Sequence, residues 1–205
     1  MNQIDKKTLE QIPANSEYIN LSRKDLSELI DLKRFNKIKK LYIFTNSISQ
    51  IINLKNTCEE INCSTNQIKN LNQLSKELKI LICSYNYILN LDNLPFGIKK
   101  LDCSYNQIEN LDYLPDGIEE INCTGNHIEN INNLPSSLKI LYCGSNIISD
   151  LSNLPINLIR LNCQFNPVDY LHNLPKTLKH IKVNANQIIN KHKYINNIDF
   201  VIHKT

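Results

Sequence analysis

No apolar run along this chain of 205 residues approaches the roughly eighteen that a membrane-crossing helix needs. The opening Met1-Asn-Gln-Ile-Asp also lacks the basic and apolar regions of a secretory signal. Both absences argue against a membrane role and predict a cytoplasmic protein. Net charge is only +3, with basic residues interrupted by acidic ones, so a nucleic-acid partner is not expected. Linkers, low-complexity tracts and breaks in composition are missing as well, which predicts one domain over residues 1–205. Aromatic residues make up 7% of the chain, so any place where they gather carries information.

What the chain does have is a Cys-x-x-Asn pair every twenty residues: Cys63/Asn66, Cys83/Asn86, Cys103/Asn106, Cys123/Asn126, Cys143/Asn146 and Cys163/Asn166. Two residues before each Cys stands Leu or Ile, from 41 to 181, with Ile43 and Val183 replacing Cys at the ends. Asn46 and Asn186 extend the Asn row, and an aliphatic follows two positions later, from Ile48 to Val168 and Ile188. Each unit then returns through aliphatics such as Leu71, Leu74 and Leu78, or Leu91, Leu94 and Ile98, with Pro at 95, 115, 135, 155 and 175. Such a period marks a solenoid, because the few apolar side chains of one unit bury too little to offset the ordering of its backbone. Stacking predicts parallel strands at 40–44, 60–64 and onward, with 41 and 43 inward and Asn bonding loop backbone. The prolines predict an extended or 3₁₀ return rather than a helix.

Leu78-x-x-Leu81-x-Cys83-x-x-Asn86-x-Ile88 reads as L-x-x-L-x-L-x-x-N-x-L with Cys in place of one Leu, and the chain thus resembles the leucine-rich-repeat family. With the Leu-Pro steps and the short period, it is similar to the twenty-residue class of bacterial effectors and large amoebal viruses. The resemblance implies a solenoid that is α/β by family convention and mostly β, with a concave parallel sheet and an extended or 3₁₀ convex side. It also implies a protein-interaction scaffold, acting in a host cytoplasm if the source is viral or an effector. Extracellular repeats of this family carry Cys clusters in their caps, whereas 1–40 and 187–205 have none.

The ends depart from the repeat. Residues 1–18 form an N-terminal cap, with a helix signalled by an Asp5 cap and with Leu9 and Ile12 covering the first strand. Repeats run over 19–190, starting with a unit about two residues longer that has Lys24 in the Asn position, and 191–205 close the solenoid around Ile198-x-x-Val201. Stacked cysteines lie at Cα spacings a disulfide allows, but parallel strands do not align their Cβ vectors, so small buried thiols are expected and no metal or cofactor. Cys58 falls outside the row and is expected to be the reachable thiol, though inert, since only Glu59 and Glu60 flank it.

Charged residues recur at equivalent places: Lys39-Lys40, Glu59-Glu60, Lys79, Lys99-Lys100, Glu119-Glu120, Lys139, Arg160 and Lys179. They read either as a solvated ladder of lateral pairs that sets register or as a banded surface for a partner. Strand alternation turns 40, 42 and 44 and their equivalents onto the concave face, with 45 at its rim. There the aromatics gather, giving Tyr42, Phe44, Ile82, Tyr85, Asp102, Tyr105, Tyr142 and Phe165 as candidate partner-binding residues, strongest at Tyr85, Tyr105, Ile82 and Asp102. The competing explanation is that Tyr and Phe simply suit β positions. An unidentified protein partner and a monomer are expected, with dimerisation through a sheet edge or the concave face, or a structural, self-assembling role, as the alternative. Some effectors of this repeat class carry a catalytic domain after the repeats; this chain ends too soon for one, its histidines are scattered, and no catalytic residue is expected.

Overall fold

A computed structural model of the protein describes residues 3–169, 171–184 and 198–203. The chain runs through α1 (Gln3–Glu10), β1 (Tyr18–Asn20), β2 (Ser27–Asp31), β3 (Lys40–Tyr42), β4 (Ser47–Ile52), β5 (Glu60–Asn62) and β6 (Ile80–Ile82). It continues through β7 (Lys100–Asp102), β8 (Glu120–Asn122), β9 (Ile140–Tyr142), β10 (Arg160–Asn162), β11 (His180–Asn184) and β12 (Asp199–His203). All but β2 and β4 stack into one parallel sheet in chain order. Its register steps by twenty residues from β3 to β11, as in Leu81↔Leu101, and by nineteen in the last step, His180↔Asp199. The first step, Ile19↔Leu41, is two residues longer, as the sequence pattern required.

Three-residue strands are short because each unit must leave the sheet at once to close its turn. Lateral pairing nonetheless continues past them, with the Cys83 N–H donating to Asp102 O at 2.7 Å and the Tyr85 N–H to Ser104 O at 2.9 Å. A further ladder runs the other way, exemplified by the Tyr87 N–H on Ile68 O at 2.9 Å. The return is built from tight turns, closed by bonds such as Ile98 N–H to Pro95 O at 3.2 Å, which use the proline carbonyl and need no proline N–H. Pairing of β2 with β4 as a second parallel sheet is an addition, since the sequence pattern calls for extended backbone there but for no partner to it.

Inside, the row of Leu and Ile at 41 to 181 and the row from Ile43 through the six cysteines to Val183 are buried throughout. The Asn row joins one turn to the next. Asn106 Nδ2 donates to Cys83 O and to Cys103 O, both at 3.0 Å, and its Oδ1 accepts from the Ile88 N–H at 2.9 Å. Asn66, Asn86, Asn126, Asn146 and Asn166 repeat this arrangement. Asn186 and Ile188 lie outside the described residues, as does most of 191–205.

Two expectations are corrected. Helix α1 begins at Gln3, so Asp5 lies in its first turn rather than at the position before it. A carboxylate anywhere in a first turn favours the helix dipole, so the same residue type signals both places. Cys58 is buried, not reachable. It stands twenty residues before Leu78, in the inward row that continues through Ile98 and Ile118, and its Sγ donates toward Glu60 O at 3.4 Å. Burial pushes its pKa up to about 12, and those of Cys63 and Cys163 to about 12 likewise.

Candidate functional site

Concave-face positions form parallel rows across the sheet, roughly 4.8 Å from strand to strand. The charged row behaves as a ladder. Glu59 lies 3.2 Å from Lys39 and 2.7 Å from Lys79, and Glu119 lies 3.9 Å from Lys99 and 2.7 Å from Lys139. Lys40 meets Glu60 at 2.9 Å and Lys100 meets Glu120 at 2.8 Å. Hydrogen bonds from the lysines hold the Glu59 and Glu119 carboxyls below their ordinary pKa. The lysines and the Glu59 and Glu119 carboxylates are exposed and screened by solvent, so the ladder favours register more than stability.

The eight predicted residues divide into three groups. At the N-terminal end, half-buried Tyr42 donates its hydroxyl to the Glu60 carboxylate and meets Tyr18 edge-on at 5.4 Å. Phe44 lies beneath the Arg23 guanidinium at 5.9 Å. The bond to Glu60 raises the Tyr42 pKa, and Lys40 with Tyr42 lowers that of Glu60. In the centre, half-buried Ile82 and Asp102 are register neighbours on β6 and β7. Asp102 Oδ1 accepts from the Ser104 N–H at 3.1 Å and its hydroxyl at 2.6 Å. Asn62, Asn122 and Asn162 also bind the N–H two residues on, so this polar row is partly committed to shaping the strand exit. Tyr142 and Phe165 lie toward the other end of the sheet.

Among these groups the centre has the most developed geometry. Tyr85 and Tyr105 stack with ring centroids 4.4 Å apart and planes 13° from parallel, and both remain about half exposed, at 55% and 46%. Their backbone is left-handed, φ 55° and 53°, as at Thr45, Thr65, Ser145 and Phe165 in the same place of other units. Gly125 is next in that row. A Cβ there would meet Tyr105 Cδ1 at 2.7 Å and Cε1 at 2.9 Å, so the glycine makes room for the ring. Since other residues tolerate this φ, Gly125→Ala is expected to displace the Tyr105 ring rather than unfold the turn. Near-ultraviolet circular dichroism of the pair should fall, while stability changes by less than about 1 kcal/mol in urea.

Sequence reading missed Tyr87 and Leu89, exposed at 49% and 57%, which continue from Tyr85 around the rim. The signal was present as alternation past the strand, with buried Asn86 and Ile88 between exposed neighbours. Phe96 and Tyr113, exposed at 91% and 88%, stand on the return segments, away from the sheet.

No helix among the described residues is long and apolar enough to cross a membrane. Comparison with family models gives no match, and comparison with curated proteins gives no significant one. Solved structures do match. YopM from Yersinia enterocolitica WA-314 superposes with a TM-score of 0.72 at 25% identity over 84% of this chain, which spans 43% of that protein. A Shigella effector leucine-rich-repeat domain gives 0.66 at 21% identity, over 98% of this chain and 86% of that one. The functional domain of InlJ from Listeria monocytogenes, described as including a cysteine ladder, gives 0.60 at 18% identity, over 92% of this chain and 53% of that one. With twenty-residue turns, an inward Cys row and an Asn row clamping successive turns, the chain is a leucine-rich-repeat solenoid whose units fit those of bacterial effector repeats.

Proposed function

We propose that the protein is an interaction scaffold that docks a protein partner on its concave sheet, anchored at the stacked Tyr85–Tyr105 pair. That pair carries the reading: two half-exposed aromatic rings are held against each other on a rigid rim with a glycine beside them to seat the second. Tyrosine anchors contribute contact area at small rotamer loss, and a preformed sheet loses little freedom on binding. Leu89 and Tyr87 enlarge the apolar area, and Ile82 and Asp102 line the adjoining sheet. The effector neighbours support placing such a partner in a host cytoplasm.

Affinity capture from host-cell lysate tests it, comparing the wild-type chain with Tyr85→Ser/Tyr105→Ser after both are shown to fold. A partner retained by the first and lost by the second is expected, since central aromatic anchors typically contribute about 2 kcal/mol or more each. Identical eluates would overturn the proposal. A mass that instead rises with concentration, and does so only for the wild type, would assign the tyrosine pair to self-assembly.

A further inference from the structure

The ladder of lysine–glutamate pairs stops before the C-terminal end of the sheet. Lysines at 39, 40, 79, 99, 100 and 139 each meet a glutamate. Arg160 and Lys182 meet no carboxylate among the described residues. The sequence leaves this imbalance unrelieved: from residue 160 onward there are seven Lys and Arg against two Asp, which is +5 in a chain whose total is +3. The rest of the protein is therefore slightly acidic, and its positive charge is concentrated at one end.

Two of these cations, Arg160 and Lys182, stand on adjacent strands of the concave face. Arg160, His180 and Asp199 stand opposite one another on β10, β11 and β12, and Asn162, Lys182 and Val201 do so two residues farther along. Between these rows and Tyr142 lies an open hollow of about 260 Å³. Arg160 and Lys182 are exposed, and Val201, 46% exposed, supplies an apolar wall. Asp199 is the one acid of the hollow among the described residues, and its Oδ2 lies 3.3 Å from His180 Nδ1. One strand spacing sideways and two residues along separate the two unpaired cations, a span of several ångströms that successive carboxylates of an extended peptide can match.

We propose that this corner binds an acidic segment of a partner protein, with Arg160 and Lys182 each taking a carboxylate and Tyr142 and Val201 packing against its stems. Arginine's planar fork suits a carboxylate in two-point contact, and Lys182 supplies a mobile point charge. A nucleic acid would need a basic track, but farther along the face Glu60, Asp102 and Glu120 interrupt it. The inference rests on the concave-face reading above but uses the opposite end of the sheet from β3, away from the tyrosine pair.

Fluorescence anisotropy with fluorescein-labelled hexaglutamate tests it on the full chain. Binding should weaken at least tenfold in Arg160→Glu/Lys182→Glu and again when NaCl is raised to about 500 mM, where the screening length falls to roughly 4 Å. Asp199→Asn should tighten it. Lys69→Glu/Lys76→Glu, an equal charge change away from the corner, should leave it within about twofold, and Arg160→Gln/Lys182→Gln replaces the reversal if that variant does not fold. Tyr85→Ser/Tyr105→Ser should bind the probe normally, so failure of this site and failure of the tyrosine anchor are told apart. Absence of hexaglutamate binding, equal loss in the corner and control variants, or tighter binding of a six-phosphate oligouridylate would overturn the proposal.

Discussion

Raising the pH to about 10 is expected to unfold the protein in a steep, reversible transition that a typical domain would not show. All seven cysteines are buried and unpaired. Burial raises their pKa values, to about 12 at Cys58, Cys63 and Cys163 and upward too at Cys83, Cys103, Cys123 and Cys143. Below the ordinary thiol value of 9.0, folded and unfolded chains both hold these protons and stability does not depend on them. Above it the unfolded chain releases protons that the folded chain retains, so stability declines with pH until the folded values are reached. Each thiol removes about 1.4 kcal/mol per pH unit, and seven together remove on the order of 10 kcal/mol per unit. Against a typical stability of about 5–15 kcal/mol, roughly one unit suffices.

Far-ultraviolet circular dichroism against pH, in reductant, measures the transition. Cys83→Val/Cys103→Val/Cys123→Val removes three of the titrating groups at similar volume and should raise the midpoint by roughly several tenths of a pH unit. A wild-type midpoint above about pH 11.5 would mean that the thiols are not held protonated by the fold. The same burial predicts that a disulfide thiol reagent at about pH 8 reacts at least about a thousandfold more slowly with the native than with the unfolded chain, because the thiolate is scarce and shielded.

Asn106→Leu should destabilise the middle of the solenoid by about 3–4 kcal/mol, although it replaces a polar side chain with an apolar one of similar size in an apolar interior. The reason is where the amide's bonds go. Cys83 O and Cys103 O each accept from two asparagines, Asn86 with Asn106 and Asn106 with Asn126, so each would keep one donor. The Ile88 N–H has Asn106 Oδ1 as its acceptor and would be buried without one. An orphaned buried N–H costs about 1–3 kcal/mol, and two weakened carbonyls add to it. The loss acts on the contact between turns, where a repeat protein holds its stability. Asn133→Ala provides the control: its exposed amide bonds Asp112 at 2.9 Å, and its removal should change stability by no more than about 0.5 kcal/mol. Urea denaturation distinguishes the two, and equal small effects would remove the Asn row as the clamp between turns.

Period and register are legible in the sequence because the side-chain environment repeats. The frame position that is buried at Leu81 is buried again at Leu101 and at Ile121. Leu and Ile interchange along that row because the site asks only for an aliphatic of that volume. Lateral charge pairing is legible for the same reason, since residues twenty apart in sequence are neighbours across the strands. Cys58 and Asp5 are misread where a local signal is taken without its frame: the first belongs to an inward row, the second to a helix already begun.

The repeat by itself determined the solenoid, the parallel sheet, the inward cysteines and the outward tyrosines, because stacking identical units leaves each frame position one environment. Tertiary structure alone decided what differs between units. It stacked Tyr85 on Tyr105 beside Gly125 and gave β2 and β4 a sheet of their own. It also set Arg160 opposite His180, where Lys40 and Lys100 face glutamates, and placed Lys182 on the next strand of the same hollow. Those outcomes depend on which side chains meet across turns and how each ring or charge is oriented, and a period in the sequence fixes the place of a residue without fixing its partner.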